Sequence, residues 1–544
     1  AAVCPKEMGV PDCLDAVLIA DNGVESLSAS NPLRLQLGGY TATLQVVRNA
    51  LAHGGAVAPP IEGDDNCSWE SAPKLNGIYL FNALSKSGFA VELINDVHRE
   101  RDRFTALVGQ APRAVVLSTT FMVNRQSLLA LVREIKALCP STTVIVGGPF
   151  VAFSWQGWQR REDPAFNSEE LRQDLLFFDA AGDETDLYII SDSGEQLLMQ
   201  ALERLRAGQS LADLPNTARP GEGCYHFTAR VDDMATWLEV PIDWAALPDR
   251  IFASGVVPIR ASNGCPYRCS FCNFNKDRRL TKVKPLDELV VEMKAVQARG
   301  ARYVWFADDN FRLGKRDLTQ VCERFIAEGL TLKWMTLLRA EVLREVDPVL
   351  LRQAGCIEVQ LGIESADATV LAAMNKQADP VLNEAVVSRL LQAGINCTCY
   401  FIIGFPGETE TSVNETIAFL RRLEEIEGEG LLSWSFYPFV LAPGSPVFET
   451  DQREAFGLEG YKHAWRHRTM DAKEARRALL RAFVAMEKSG PIYRGDNLDQ
   501  LRALPPGQAR NFIAARHFLE KMAMTGPLDP AVIVSLFTKA LNPN

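Results

Sequence analysis

Short apolar runs recur along the chain, and most end in small or polar residues. Asp15-Ala16-Val17-Leu18-Ile19-Ala20 ends at Asn22-Gly23, and Ala90-Val91-Glu92-Leu93-Ile94 follows it. Arg113 to Leu117 ends at Ser118-Thr119-Thr120, Thr143 to Val146 at Gly147-Gly148-Pro149, and Tyr188-Ile189-Ile190 at Ser193-Gly194-Glu195. Runs this short, bounded by turn formers, read as buried strands. Between them the apolar period changes. Asn76 to Lys86 puts Ile78, Tyr79 and Leu84 on a helical face and stops at Gly88. Gln126 to Leu138 does the same with Leu128, Leu131, Val132 and Ile135, before Pro140. Strands about thirty residues apart with helices between them are βαβ units, which pack into a parallel doubly wound sheet. Ligands on such sheets sit beyond the carboxyl ends of the strands. The candidate contacts there are Asn22, Ser118, Thr119, Thr120, Gly147, Gly148, Ser193, Gly194 and Glu195.

Two stretches break the rhythm. Leu33 to Pro73 separates the first strand from its helix, and Phe153 to Asp186 separates the fourth strand from the fifth. Both exceed ordinary βα connections, so they are either peripheral elaboration or a cap over a ligand. Trp155 and Trp158 are expected to pack rather than bind. Residues 216–255 read as a linker, with the turn-rich Arg219-Pro220-Gly221-Glu222-Gly223 inside it.

The rhythm then resumes. Val257-Pro258-Ile259-Arg260, Tyr303-Val304-Trp305-Phe306, Leu332 to Leu338, Ile357 to Leu361, Asn396 to Ile403 and Leu432 to Tyr437 read as strands, with a helix over Leu286 to Arg299. Six βα units fit a partial TIM-type barrel whose function lies at the carboxyl ends of its strands. Those ends carry Asp308-Asp309-Asn310, Arg339, Gly362-Ile363-Glu364-Ser365 and Gly404-Phe405-Pro406-Gly407. Buried carboxylates there need partners, which a zwitterionic ligand can supply. From Pro443 onward the pattern is mostly helical, as in Ala472 to Lys488 and Ala509 to Met522. Tyr461, His463, Trp465 and His467 read as a helix packed on the barrel mouth, with substrate contact as the alternative. The expected division is 1–215, a sheet domain; 216–255, a linker; 256–445, a partial barrel; and 446–544, a helical region.

With 544 residues, 47% hydrophobic and 23% charged, the chain has ample core material. A net charge of −11 and no basic domain argue against a nucleic-acid partner. No apolar stretch reaches the roughly 18 residues of a membrane span, and the N-terminal residues lack the features of a signal peptide. Twelve cysteines without a secretory signal are expected to be reduced, in a cytoplasmic protein. There is no GxGxxG, so a dinucleotide is not favoured.

Three of the cysteines stand apart. Cys265, Cys269 and Cys272 form a CxxxCxxC run within Gly264-Cys265-Pro266-Tyr267-Arg268-Cys269-Ser270-Phe271-Cys272-Asn273. Three close thiolates can hold one face of an iron–sulfur cube and leave its fourth iron open. Zinc is an alternative, but it wants four tetrahedral ligands, and no second CxxC follows. A plain electron-carrying cluster normally takes four cysteines.

The motif resembles that of the radical SAM enzymes, and Phe271 before the last cysteine fits their habit. The resemblance implies a 4Fe-4S cluster on Cys265, Cys269 and Cys272, with S-adenosylmethionine chelating the open iron. It implies that Asp308, Asp309 and Asn310 lie near the methionyl amino group, although the family's glycine-glycine-glutamate is absent. It places Arg339 at the methionyl carboxylate, Glu364 and Ser365 near the ribose, and Gly404 and Phe405 against adenine. A structural ion pair for Arg339, a barrel-closing hydrogen bond for Glu364 and a core role for Phe405 are the alternatives.

Upstream, the Gly147-Gly148-Pro149 and Ser193-Gly194-Glu195 turns resemble those of the cobalamin-binding domain fused to many radical SAM enzymes. Asp96-Val97-His98 resembles a cobalt-binding loop but follows the wrong strand, so His98 is expected to be a surface histidine. On the cobalamin reading the two long insertions are candidate caps over the cobalt's lower face or the substrate mouth.

The implied fold class is α/β: a Rossmann-like cobalamin-binding domain, a partial (β/α)6 barrel and a mostly helical C-terminal region. The implied function is a cobalamin-dependent radical SAM methyltransferase that moves a methyl group from S-adenosylmethionine, via methylcobalamin, to a carbon. The substrate is expected to be a small molecule or peptide, as in natural-product biosynthesis, and the electron donor external, such as flavodoxin or ferredoxin. A cyclase, ring-contraction or other rearrangement enzyme is the first alternative, and a non-catalytic cluster-bearing redox protein the second.

Overall fold

A computed structural model describes residues 14–23, 33–54, 67–191, 194–231, 241–273, 282–311 and 318–542. The chain divides into two compact units, one of residues 1–27 and 73–243, the other of residues 28–72 and 244–544.

The first unit is built on seven strands: β1 (Ala16–Ile19), β2 (Val91–Ile94), β3 (Ala114–Ser118), β4 (Thr143–Gly147), β5 (Leu187–Ile189), β6 (Thr217–Pro220) and β7 (Tyr225–Phe227). Their order is β2-β1-β3-β4-β5-β6-β7. β1 to β5 are parallel, and β6 and β7 add antiparallel. Chain order reverses at β1, which has β2 on one side and β3 on the other, and this is the switch point where such sheets take ligands. The helices form where the period predicts them. Arg125–Leu138 is capped by Asn124, whose side chain accepts from Gln126 and Ser127, and buries Leu128, Leu131, Val132 and Ile135.

The second unit carries seven parallel strands in sequence order: β8 (Val256–Ile259), β9 (Tyr303–Phe306), β10 (Lys333–Leu338), β11 (Cys356–Glu364), β12 (Asn396–Ile403), β13 (Leu432–Pro438) and β14 (Gly490–Pro491). Right-handed βα crossovers put helices on one face and close the other into a lumen. Trp334 marks the outer face, packing on Phe306, Phe311 and Phe325.

The structure corrects three expectations. Leu33 to Ala72 packs within the second unit rather than on the first unit's sheet. Helix Leu44–Ala52 packs Leu44, Val46 and Val47 against Phe512, Ile513 and Phe537 of the C-terminal helices. Cys67, Trp69 and Ala72 pack on Val256, Tyr303 and Met335, at the amino ends of the barrel strands. The stretch leaves β1 because its apolar residues find their burial in the second unit. Nor is 216–255 a linker. Its turn-rich centre is the β6–β7 hairpin, and the units divide after Asp243. Finally, Tyr461 to His467 is not a helix. Glu459–Tyr461, Ala464–His467 and Met470–Asp471 form an antiparallel sheet. Trp465 and His467 are buried while Ala464 and Arg466 are exposed, which is strand alternation. As expected, Trp155 and Trp158 pack, stacked at 5.0 Å and tilted on Phe227.

Trp69 is the pivot of the 28–72 segment, 5% exposed, with its Nε1 donating to Glu358 at 3.0 Å. Trp69→Ala should lower the unfolding free energy by about 3–5 kcal/mol, read as a lower urea midpoint for the second unit.

Candidate functional site

The cysteine run follows β8 and has almost no regular structure of its own, so its shape is imposed by neighbours. Asp308, past the end of β9, accepts from the backbone and hydroxyl of Ser262 and from Ala261 N. Burial pushes its carboxyl up to about 6 against the pull of those donors. Asp309 accepts from Gly264 N at 2.9 Å. Further along, Ser270 N donates to Met374 O at 2.8 Å, Asn375 Nδ2 to Arg268 O at 2.8 Å, and Val447 N to Ser270 O at 2.9 Å. Cys265, Cys269 and Cys272 are free thiols, Cys269 buried and the other two partly exposed.

Around Cys269 the charge is positive. Arg339 Nη1 lies 3.9 Å from its Sγ, with the guanidinium 3.8 Å from the Tyr267 ring centre. Burial pushes the Cys269 thiol up, and Lys376 and Arg339 pull it down. Lys376 is itself buried and pairs with Glu364 at 2.8 Å. Left-handed backbone clusters here, with φ of 64° at Glu364, 49° at Asn375 and 52° at Gln377. Among the described residues no three His, Cys, Asp or Glu side chains converge as ligands of one metal ion do. A cube asks for no such convergence, because each thiolate meets a different iron. Three soft donors on one loop, beside two cations that offset anionic thiolates, fit such a cluster.

The family model for the radical SAM superfamily matches residues 259–420. Residues 259–420 form a radical SAM domain. An uncharacterised methyltransferase of Pyrococcus horikoshii is 25% identical over 319 residues, 57% of this chain and 64% of that protein. The match therefore spans less than two thirds of that relative. Among solved structures, the radical S-adenosylmethionine methyltransferase TsrM from Kitasatospora setae, with cobalamin and a [4Fe-4S] cluster bound, aligns at TM-score 0.52 and 17% identity. It covers 80% of this chain and 77% of that one. The cobalamin-dependent S-adenosylmethionine radical enzyme OxsB aligns at TM-score 0.55 and 15% identity, over 97% and 79%. The fold is thus that of cobalamin-dependent radical SAM enzymes: a Rossmann-like domain followed by the radical SAM barrel.

Within the radical SAM domain the expected contacts separate. Glu364, Asn310 and Phe271 stay near the cysteine loop. Asn310 is 3% exposed, and neither atom of its amide has a partner, as in a site that awaits a polar ligand. Phe271 meets Phe405 edge-on at 6.5 Å and Lys376 Nζ at 6.0 Å. Four others serve the protein. Asp308 anchors Ser262. Arg339 is engaged by Glu341, by the carbonyls of Lys376 and Gln377, and by Tyr267, so it braces the loop. Ser365 is fully buried, accepts from Asp367 N at 3.1 Å and lies 3.4 Å from the Thr416 hydroxyl. Phe405 is core, packed on Phe439 at 5.2 Å.

Gly404 keeps its place because it has no side chain. Its φ is 94°, and a Cβ would lie 2.6 Å from both Trp465 and Ala475. Its carbonyl meets His467 Nε2 at 3.1 Å, and its N–H donates to Glu408. Sequence reasoning stopped one residue short of Glu408, whose place at the end of Gly404-Phe405-Pro406-Gly407-Glu408 was the available signal. Lys376 gave no signal.

In the first unit the polar strand ends do gather. Ser118 Oγ accepts from Asn76 Nδ2 at 2.8 Å, and Thr119 donates to Gly147 O at 2.9 Å. Gly148 has φ 109°, and a Cβ there would press on Thr119 at 3.0 Å. Thr120 is exposed, Asn22 is buried, and Gly194 caps the helix that begins at Glu195. Ser193 lies outside the described residues. Asn76 Oδ1 is buried with no partner at this edge, which fits a ligand rich in amide donors such as cobalamin. His98 is exposed, as expected.

Lys376→Met leaves Glu364 a buried, unpaired carboxylate and should cost about 3–5 kcal/mol, with Lys376→Met/Glu364→Gln regaining most of it in urea titrations. Burial raises the Glu408 carboxyl from 4.5 to about 8. The folded state therefore holds this proton more tightly than the unfolded one, and the stabilisation present below pH 4.5 declines as pH rises through 8. Glu408→Gln should remove that decline, gaining on the order of a few kcal/mol relative to wild type between pH 5 and pH 9; parallel stability curves would contradict it.

Proposed function

We propose that the protein is a cobalamin-dependent radical SAM methyltransferase that methylates a carbon of a small-molecule or peptide substrate. The observation that carries this reading is the braced loop of Cys265, Cys269 and Cys272 at the carboxyl end of β8, within the fold of cobalamin-dependent enzymes. When bound, the cluster and S-adenosylmethionine supply one-electron reductive cleavage, and cobalamin supplies the methyl carrier.

The chain's own residues then have distinct tasks. Cys265, Cys269 and Cys272 hold the cluster, and Lys376 and Arg339 offset its negative charge. Asn310 offers an unpartnered amide near the methionyl amino group of S-adenosylmethionine, and Glu364 a carboxylate near its ribose. The Gly404 turn gives adenine a flat backbone surface, fixed from behind by His467, Trp465 and Glu408. In the first unit Thr120, Asn76 and the Gly147-Gly148 turn present polar groups to cobalamin, with Asn22, Ser118, Thr119, Gly194 and Glu195 shaping the same edge. Bringing reacting groups into register matters because a displacement of ~1 Å can cost ~100-fold in rate. Among the described residues no helix is long and apolar enough to cross a membrane.

Reconstituted protein incubated with dithionite, cobalamin and S-adenosylmethionine should form both S-adenosylhomocysteine and 5′-deoxyadenosine. 5′-Deoxyadenosine alone points to rearrangement chemistry, S-adenosylhomocysteine alone to methyl transfer without radical cleavage, and neither product to a binding protein; each of these overturns the proposal. Cys269→Ala should lose the cluster's visible absorbance and most of its iron, and full occupancy in that variant would sink the ligand assignment.

A further inference from the structure

A strand with helices on its outer face can show accessible surface only toward the lumen. In β12, Cys397, Cys399 and Phe401 are completely buried on the outer side, whereas Tyr400 and Ile402 keep accessible surface. Trp305 of β9, Leu337 of β10 and Tyr437 of β13 do the same. The lumen is thus an open, largely aromatic chamber.

One cation enters it. Arg494 follows β14, and its Nη2 donates to Tyr400 Oη at 3.1 Å. The guanidinium lies 5.9 Å from the Trp305 ring centre, and the Tyr400 and Tyr437 rings are 6.0 Å apart. Burial costs this cation hydration, yet among the described residues it has no ion pair. Glu358, deeper in the lumen, is satisfied by neutral donors: Trp69 Nε1 at 3.0 Å, Gln360 Nε2 at 3.0 Å and Thr398 Oγ1 at 3.1 Å. Tyr400 donates to Gln360 Oε1 at 2.9 Å, so neutral groups stand between Arg494 and Glu358, which interact through the field but not by contact. A guanidinium has five donors in a planar fork, and a single one of Arg494's is used. Tyr400 pairs in register with Gly362, two residues before Glu364. The register shifts at a bulge beyond Gly362, where Glu364 pairs with Phe401, so the Arg494–Tyr400 contact lies below Glu364 along the strands.

We propose that Arg494, with Tyr400, Tyr437 and Trp305, anchors the substrate, and that the substrate carries an anionic group, carboxylate or phosphate, on a planar aromatic body. Resting on the reading of this barrel as the reaction chamber, the proposal adds the substrate's chemical class. The fork takes the anion in a charge-assisted pair. The aromatic walls take the flat body, which extends from Arg494 toward the carboxyl ends of the strands.

The test is equilibrium dialysis of the cluster-loaded full chain against radiolabelled benzoate, phenyl phosphate and benzamide. At least one anion should bind roughly tenfold or more tighter than the neutral amide, and the preferred anion distinguishes carboxylate from phosphate. Arg494→Gln should bring that anion down to the benzamide level. Arg494→Lys keeps the charge but not the fork, and should weaken benzoate more than phenyl phosphate; it serves if the Gln variant loses its cluster or its cooperative melting. No anion binding in wild type, no preference over benzamide, or unchanged binding in Arg494→Gln would falsify the anchor. Anion binding that depends on Arg494 without formation of 5′-deoxyadenosine or S-adenosylhomocysteine would leave the anchor standing and remove the methyltransferase reading.

Discussion

The loop that carries the three thiols has almost no helix or sheet of its own, so its geometry depends on donors and acceptors brought to it. Here they come from three places: the end of β9 through Asp308 and Asp309, the loop after β11 through Met374 and Asn375, and the segment after β13 through Val447. They meet because every strand of the barrel is parallel, which puts all the carboxyl ends on one rim. Ala307 N donating to Ile259 O sets the register that brings Asp308 under Ser262. If that register slipped by one residue, the two side chains would fall on opposite faces of the sheet.

The brace has a cost, visible as strain and burial. Glu364, Asn375 and Gln377 take left-handed backbone that residues with a side chain rarely adopt. The residues flanking Lys376 bend so that its amine faces the cysteine loop while the same turn supplies the Met374 carbonyl. Such strain persists only where the surroundings fix it, and here Arg339 fixes it by holding the Lys376 and Gln377 carbonyls from the side of Cys269. Cation, carboxylate and thiol therefore form one unit, in which moving any member uncovers another.

Much of this was legible in the sequence. The βα rhythm identified both sheets, the CxxxCxxC run located the site, and Trp155 and Trp158 pack as expected. What was not legible depends on contacts distant in sequence. Leu33 to Pro73 looked like an insertion in the first sheet because periodicity reports which residues are apolar and not where they find burial. The resemblance implied ligand contacts for Arg339, Ser365 and Phe405, with a structural ion pair for Arg339 and a core role for Phe405 as alternatives. Glu341, Thr416 and Phe439 engage them within the protein, and no local pattern in the sequence foretells those partners. The Ala464 to His467 strand was missed because a short aromatic segment fits both periods, and burial alternation decides between them only after folding.

The lumen shows how parts of the chain distant in sequence bear on the chamber. Six βα units leave the barrel partial and its amino end open. The 67–72 segment fills that end with Trp69, whose Nε1 donates to Glu358. The Glu70 N–H bonds to the Arg494 carbonyl, tying this floor to the segment after β14 that carries the lumen cation. A segment that precedes the barrel by almost two hundred residues and a strand that follows its sixth unit thus meet beneath the chamber. They set its polarity without touching the cysteine loop. Selectivity for substrate can then change in these outer segments while the brace around Cys269, where strain allows little freedom, stays as it is.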